Sequence, residues 1–192
     1  MDFYLIDTSS QDEPSYCLLR RFPEGVNTKS YIFSKGVAAE ADDFPADLRV
    51  YMSDGDGGRQ VPDLVGNVYH WLIVSGRLKA AIGAINRGPV QYAPIRIFNH
   101  KRRLAADDYF VVNPIGTIDV VNEAKSEIEW LEGEVVGVDR YVLDPKKLGH
   151  APDLFRLKHD PFEYVVSERM LDAWRKMTPK PTNVILEPLD QG

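Results

Sequence analysis

Two short phrases in this 192-residue chain carry the residue types of an anion site, "VSGR" ending at Arg77 and "VSER" ending at Arg169. A serine hydroxyl, the unpaired amides that open a helix and a guanidinium two residues on together favour a phosphate or carboxylate. Ser75 and Ser167 are placed to cap such helices. Arg77 and Arg169 are out of place, because a cation in the first turn opposes the helix dipole by about 0.3 to 1 kcal/mol. Each arginine therefore needs an anion, either a bound ligand or a carboxylate of the chain itself, with Asp63 and Asp153 as candidates. The structural pairing is the reading we adopt, since a position used twice points to shared architecture more readily than to two ligand sites. The alternative is a small-molecule or regulatory binding domain with its anion site at a helix start.

Other chemistry is thinly represented. His70, His100, His150 and His159 are scattered, with no i, i+4 pair to place two imidazoles on one helical face. The single cysteine, Cys17, precludes an intrachain disulfide and a cysteine zinc site, and it sits in a strand-like "SYCLLRR". "DGDGG", with Asp54 and Asp56, has the opening of a calcium loop, but Val65 stands where a bidentate glutamate closes the cage, so a plain turn is expected. No nucleophile elbow, phosphate loop or dinucleotide fingerprint is present. These observations point to no metal, no cofactor and no catalytic residue.

The elements that would position the two serine–arginine pairs follow from spacing. Trp71 to Val74 and Tyr164 to Val166 are short apolar runs suited to buried strands. Leu78, Ala81, Ile82 and Ile85 then fall at i, i+3, i+4 and i+7, as do Met170, Ala173, Trp174 and Met177, which predicts two helices with one apolar stripe each. Gly88-Pro89 and Thr178-Pro179 stop them. "VQYAPIRIF" and "NVILEPLD" follow as strands, so the chain is expected to hold two related strand, capped helix, strand units at about 68–98 and 162–190.

The remaining segments, "DFYLID", "SYCLLRRF", "SYIFSKG", "LRVYMSD", "DYFVVNP", "GTIDVV", "GVDRYVL" and "DLFRLK", have strand length and β-branched or aromatic content. Short connections favour antiparallel pairing. The expected fold class is α+β, mainly antiparallel sheet, with a β-rich region at 1–60 and an α+β region at 61–192, either separate or compacted into one domain; the glycine-rich stretch Ser53 to Gly58 is the best boundary.

One acidic segment stands out. "NEAKSEIEWLEGE" holds Glu123, Glu127, Glu129, Glu132 and Glu134 against Lys125 alone, with Trp130 in their midst. An exposed tryptophan ringed by carboxylates suits a surface for a basic protein, because aromatic anchors dominate binding energy and charges steer encounter; the competing reading turns Trp130 inward behind a solvated face. The net charge of −6 argues against nucleic acid as a partner. The N-terminus lacks a signal-peptide pattern and no apolar run reaches membrane length, so a cytoplasmic protein without a membrane partner is expected.

The order "VPDLVGN", "IVSGRLKAAI", "VQYAPIRIF", "DYFVVNPIGTIDVVN", "GVDRYVLDPKKL", "DLFRLKHD" and "VVSERMLDAW" resembles the immunity protein eleven family of bacterial polymorphic-toxin systems, over roughly 61–190. The resemblance implies a non-enzymatic protein that binds and neutralises a cognate toxin domain, with no cofactor. It transfers no site residue, and it leaves the oligomeric state open; the acidic segment as partner surface is a reading of the residues alone.

Overall fold

Strands form where the apolar runs are short and β-branched, and helices where a serine caps a 3.6-residue stripe. The computed structural model describes the chain apart from Glu24, Asn27 and Thr28, and describes Asp56 through its backbone, so the Asp56 half of the acidic pair weighed for calcium lies outside the described side chains. In chain order the elements begin with β1 (Phe3–Ile6), β2 (Cys17–Leu19), α1 (Tyr31–Lys35), β3 (Leu48–Gly57) and β4 (Gly66–Asn67). The first serine-capped region gives β5 (Leu72–Ser75), α2 (Gly76–Ile85) and β6 (Val90–Phe98), followed by the long β7 (Leu104–Pro114). Then come β8 (Glu127–Leu131), β9 (Glu134–Arg140), β10 (Val142–Leu143), a 3₁₀ turn at Leu148–His150 and β11 (Leu154–Arg156). β12 (Tyr164–Ser167), α3 (Glu168–Arg175), β13 (Leu186–Pro188) and β14 (Asp190–Gln191) close the chain. The fold class is α+β with mainly antiparallel sheets. Among the described residues no helix is long and apolar enough to cross a membrane.

A six-stranded sheet runs β4-β2-β3-β6-β7-β5 and a four-stranded sheet runs β11-β12-β1-β13. Residues 1–60 thus supply strands to both. β5 and β6 lie antiparallel on either side of β7, and β12 and β13 lie antiparallel on either side of β1, so each capped helix crosses over a third strand. Alternation along the strands sorts side chains into three cores. Ile73 and Val111 face a first core with Phe33, Val50 and Trp71. Leu72, Val74 and Val112 face a second, shared with Tyr164 and Val166 of the other sheet and with Leu78, Ile82, Met170 and Trp174 of the helices. Val165, Phe3 and Phe155 face a third with Leu143. Each such fully buried side chain contributes about 1.5 to 3 kcal/mol.

Three expectations are corrected. "SYIFSKG" is helix α1, ended by Gly36 in the left-handed region (φ 69°), whose amide bonds the Ile32 carbonyl. "GTIDVV" forms no strand and joins its neighbours through the single bridges Ile118↔Leu157 and Val121↔Leu143. Ser53 to Gly57, expected as a turn, is the end of β3, with Gly57 opposite Cys17. Gly57 and Gly58 serve close approach: a Cβ on Gly58 would collide with the Ser15 carbonyl, beside which its amide donates to the Tyr16 carbonyl at 2.7 Å.

Candidate partner-binding surface

At both helix starts the anion is the chain's own aspartate. Ser75 caps α2, accepting from the Leu78 amide, and its hydroxyl donates to Asp63 Oδ1 at 2.6 Å while Arg77 Nε donates to the same oxygen at 2.7 Å. Ser167 caps α3 through the Met170 amide, its hydroxyl donates to Asp153 Oδ1 at 2.7 Å, and Arg169 Nε donates there at 2.8 Å. The second nitrogen of each guanidinium closes a fork on the other carboxylate oxygen. Both aspartates sit in the phrase Pro-Asp-Leu, at Pro62–Leu64 and Pro152–Leu154, and their carbonyls accept from the Ser75 and Ser167 amides. Burial by itself would raise the two carboxyls, but the arginine and serine hydrogen bonds outweigh it and hold both below the usual range.

The acidic segment folds into the β8–β9 hairpin, a two-stranded sheet outside the two main sheets. Its turn is Glu132-Gly133, with φ 51° and 87°, the pair of left-handed residues that a tight hairpin needs. The charges are legible in the sequence, and Glu127-Ile128-Glu129-Trp130 alternates polar and apolar as a strand does, the signal that could have found β8. Trp130 is half exposed (50%), and Leu131 (64%) and Val136 (57%) are more so. Trp71 and Trp174 are buried, which leaves Trp130 as the solvent-facing indole. Glu127 pairs with Arg140 at 2.9 Å and Glu123 with His159 at 2.9 Å. Among the described residues Glu129, Glu132 and Glu134 have no cationic partner. These three carboxylates, at the turn end of the hairpin, stand beside three exposed apolar side chains.

The hairpin also walls a cleft. β10 and β14 run parallel, with Val142 opposite Asp190, and the strands that lead into them, β9 and β13, diverge from that point. The fork holds a cavity of about 480 Å³, walled by the consecutive residues Val138 to Tyr141 on one side and Glu187 to Asp190 on the other. A second groove, about 570 Å³, continues it along Gly133 to Gly137 toward Trp130 and His159, sharing Asp160 and Phe162. Glu163 lies in the fork, and burial, with Asp160, Asp7 and Glu187 nearby, pushes its carboxyl up to about 7. A carboxyl raised on folding costs stability above its unfolded value and costs nothing when both states are protonated. Glu163→Gln is therefore expected to stabilise the protein by up to about 3 kcal/mol at pH 8 and to leave it unchanged near pH 4. Thermal unfolding at the two pH values checks this; an equal effect at both contradicts it.

Cys17 is buried in β2 and burial pushes its thiol up to about 12, so it has the environment of a packing residue. No group of three or more histidine, cysteine, aspartate or glutamate side chains among the described residues is arranged to hold a metal ion. Two features of the site have no local sequence signal, the fork and the raised Glu163; the wholly buried Arg156, which holds α1 beside the cleft, is marked only by its place in the apolar run "DLFRL". Comparison with protein families matches the chain over residues 5–190 to a family described as "Immunity protein family (Imm11)". No curated protein matches the chain.

Proposed function

The chain belongs to the Imm11 immunity protein family, and we propose that it neutralises a cognate toxin domain by binding it, without chemistry of its own, through the β8–β9 hairpin. The observation that carries the choice of surface is the conjunction at the hairpin's end: Glu129, Glu132 and Glu134 without cations, and Trp130, Leu131 and Val136 exposed among them. Desolvating an indole and two aliphatic side chains supplies affinity, while uncompensated carboxylates steer a basic partner and set the rate of encounter. Glu127, bound to Arg140, is the least available of the hairpin's glutamates.

The triple variant Glu129→Lys, Glu132→Lys, Glu134→Lys is expected to slow association with the toxin domain about tenfold at low ionic strength and to flatten the salt dependence of the rate. Trp130→Ala is expected to act on dissociation instead. Surface plasmon resonance, which does not depend on the indole, reads both steps. Unchanged association in the triple variant removes the hairpin from the interface.

The helix starts offer a poorer site for an external anion, since Asp63 and Asp153 already occupy both oxygen-binding forks.

A further inference from the structure

We infer that the fork between β9 and β13 receives an extended, lysine- or arginine-bearing segment of the partner's chain, which adds as a strand along the free edge of β9. This rests on the reading that the partner is a protein, and it specifies how part of that protein is held.

The geometry is that of a split sheet. Among the described residues β9 pairs with β8 on one side and with no strand on the other, and β13 is the outermost strand of the four-stranded sheet. A strand that presents a face to a cavity lines it with every other residue; one that presents its edge lines it with consecutive residues. Gly133 to Gly137 line the outer groove and Val138 to Tyr141 line the fork, without alternation, so β9 is presented edge on. Its seven residues offer roughly 23 Å of template at about 3.3 Å per residue. Main-chain groups along such an edge supply affinity, and side-chain pockets supply specificity.

The fork is acidic, whereas the outer groove is mixed, with Lys35, Lys158 and His159 among Glu123, Glu134 and Asp160. Asp7, Asp139, Asp160, Glu163 and Glu187 line the fork, and its one guanidinium, Arg140, is already shared between Glu127 and Asp190. Glu163 is half-buried in the fork, and no hydrogen bond of its side chain offsets that burial. A lysine entering the fork supplies the counter-charge that the fold withholds. Phe162 gives an apolar floor shared by both parts of the groove, and Trp130 stands at the outer end. Alternating basic and apolar residues match the lining of the fork, basic side chains toward its carboxylates and apolar ones toward Phe162.

The probe is an end-capped Lys-Val-Lys-Val-Lys-Val peptide, with a Glu-Val counterpart and two versions N-methylated on alternate amides, one for each edge of the added strand. Binding is read from Trp130 emission and from amide shifts of residues 133–141 in the intact chain. The expected result is shifts confined to β9 and the fork, at least tenfold weaker binding of the Glu-Val peptide, and at least tenfold loss in one or both N-methylated versions. Asp139→Lys, at an exposed position without an ion pair, lowers affinity for the basic peptide. Binding of both N-methylated peptides at the strength of the unmethylated one, equal binding of the acidic peptide, or shifts elsewhere would each overturn strand addition. If the toxin domain binds while the peptides do not, this inference falls and the toxin-binding reading stands. If the toxin domain does not bind at all, that reading falls, whatever the peptides do.

Discussion

Replacing Arg156 with alanine is expected to destabilise the protein by about 3 to 5 kcal/mol. Arg156 is wholly buried and has no carboxylate beside it. Its guanidinium donates instead to the carbonyls of Phe33, Ser34 and Pro161 and, at 2.5 Å, to the Tyr164 hydroxyl, and it lies 4.0 Å above the Tyr164 ring. Phe33 and Ser34 belong to the last turn of α1, where carbonyls lack intrahelical donors and the helix dipole favours a cation. One side chain of β11 therefore fixes a five-residue helix that could not hold itself. Tyr164 extends the link: it accepts from the Leu72 amide and donates to the His70 carbonyl at 3.0 Å, which ties the two sheets together. Alanine leaves these acceptors dry and opens a void. At roughly 2 to 4 °C per kcal/mol for a chain of this size, the melting temperature should fall by about 6 to 20 °C. Arg156→Lys is expected to recover little, because one ammonium cannot span acceptors arranged for a planar fork. A loss under about 1 kcal/mol for the alanine variant would contradict this account.

The two aspartates beneath the helix starts should differ in cost. Asp63→Ala removes the acceptor for Ser75, Arg77 and both the amide and hydroxyl of Thr182, and it frees the Arg77 guanidinium, which also donates to the Pro179 and Lys180 carbonyls. Asp153→Ala unpairs only Ser167 and Arg169. We expect about 2 to 4 kcal/mol for the first and about 1 to 3 kcal/mol for the second, discounted because both arginines are partly in solvent. Their pH dependence carries a definite sign. Both carboxyls are held below their ordinary value in the folded state, so their contribution is complete above about pH 4 and is lost as pH falls through the folded values. Denaturant titrations from pH 6 to pH 2 should show a flatter acid limb in each alanine variant. Parallel limbs in wild type and variants would falsify the linkage.

The parts of this fold that could be read from sequence are those fixed by near neighbours. Ser75 and Ser167 cap helices three residues away, and Leu78 with Ile82 and Met170 with Trp174 bury the stripes that their spacing indicated. α1 was misread because Tyr-Ile-Phe favours a strand locally, while its helical form depends on Arg156, more than 120 residues along the chain. An arginine in the short apolar run "DLFRL" was the available signal, since a charge among buried neighbours demands an explanation. The charge of the hairpin was legible from Glu123 to Glu134, but the pairing of Glu127 with Arg140 was not, so the three carboxylates left without cations emerge only from the structure. The fork depends on β10 and β14 meeting across nearly 50 residues, and no local pattern encodes that.

Titration of the purified chain with a candidate cognate toxin domain, by calorimetry at low and at near-physiological salt, tests the central claim most directly. The account predicts saturable binding that weakens as salt rises, a thermal stabilisation of about 4 kcal/mol when free partner exceeds the dissociation constant a thousandfold, and a clear loss of affinity in the Glu129→Lys, Glu132→Lys, Glu134→Lys variant. Absence of binding, or binding that this variant leaves untouched at both salt concentrations, would contradict it.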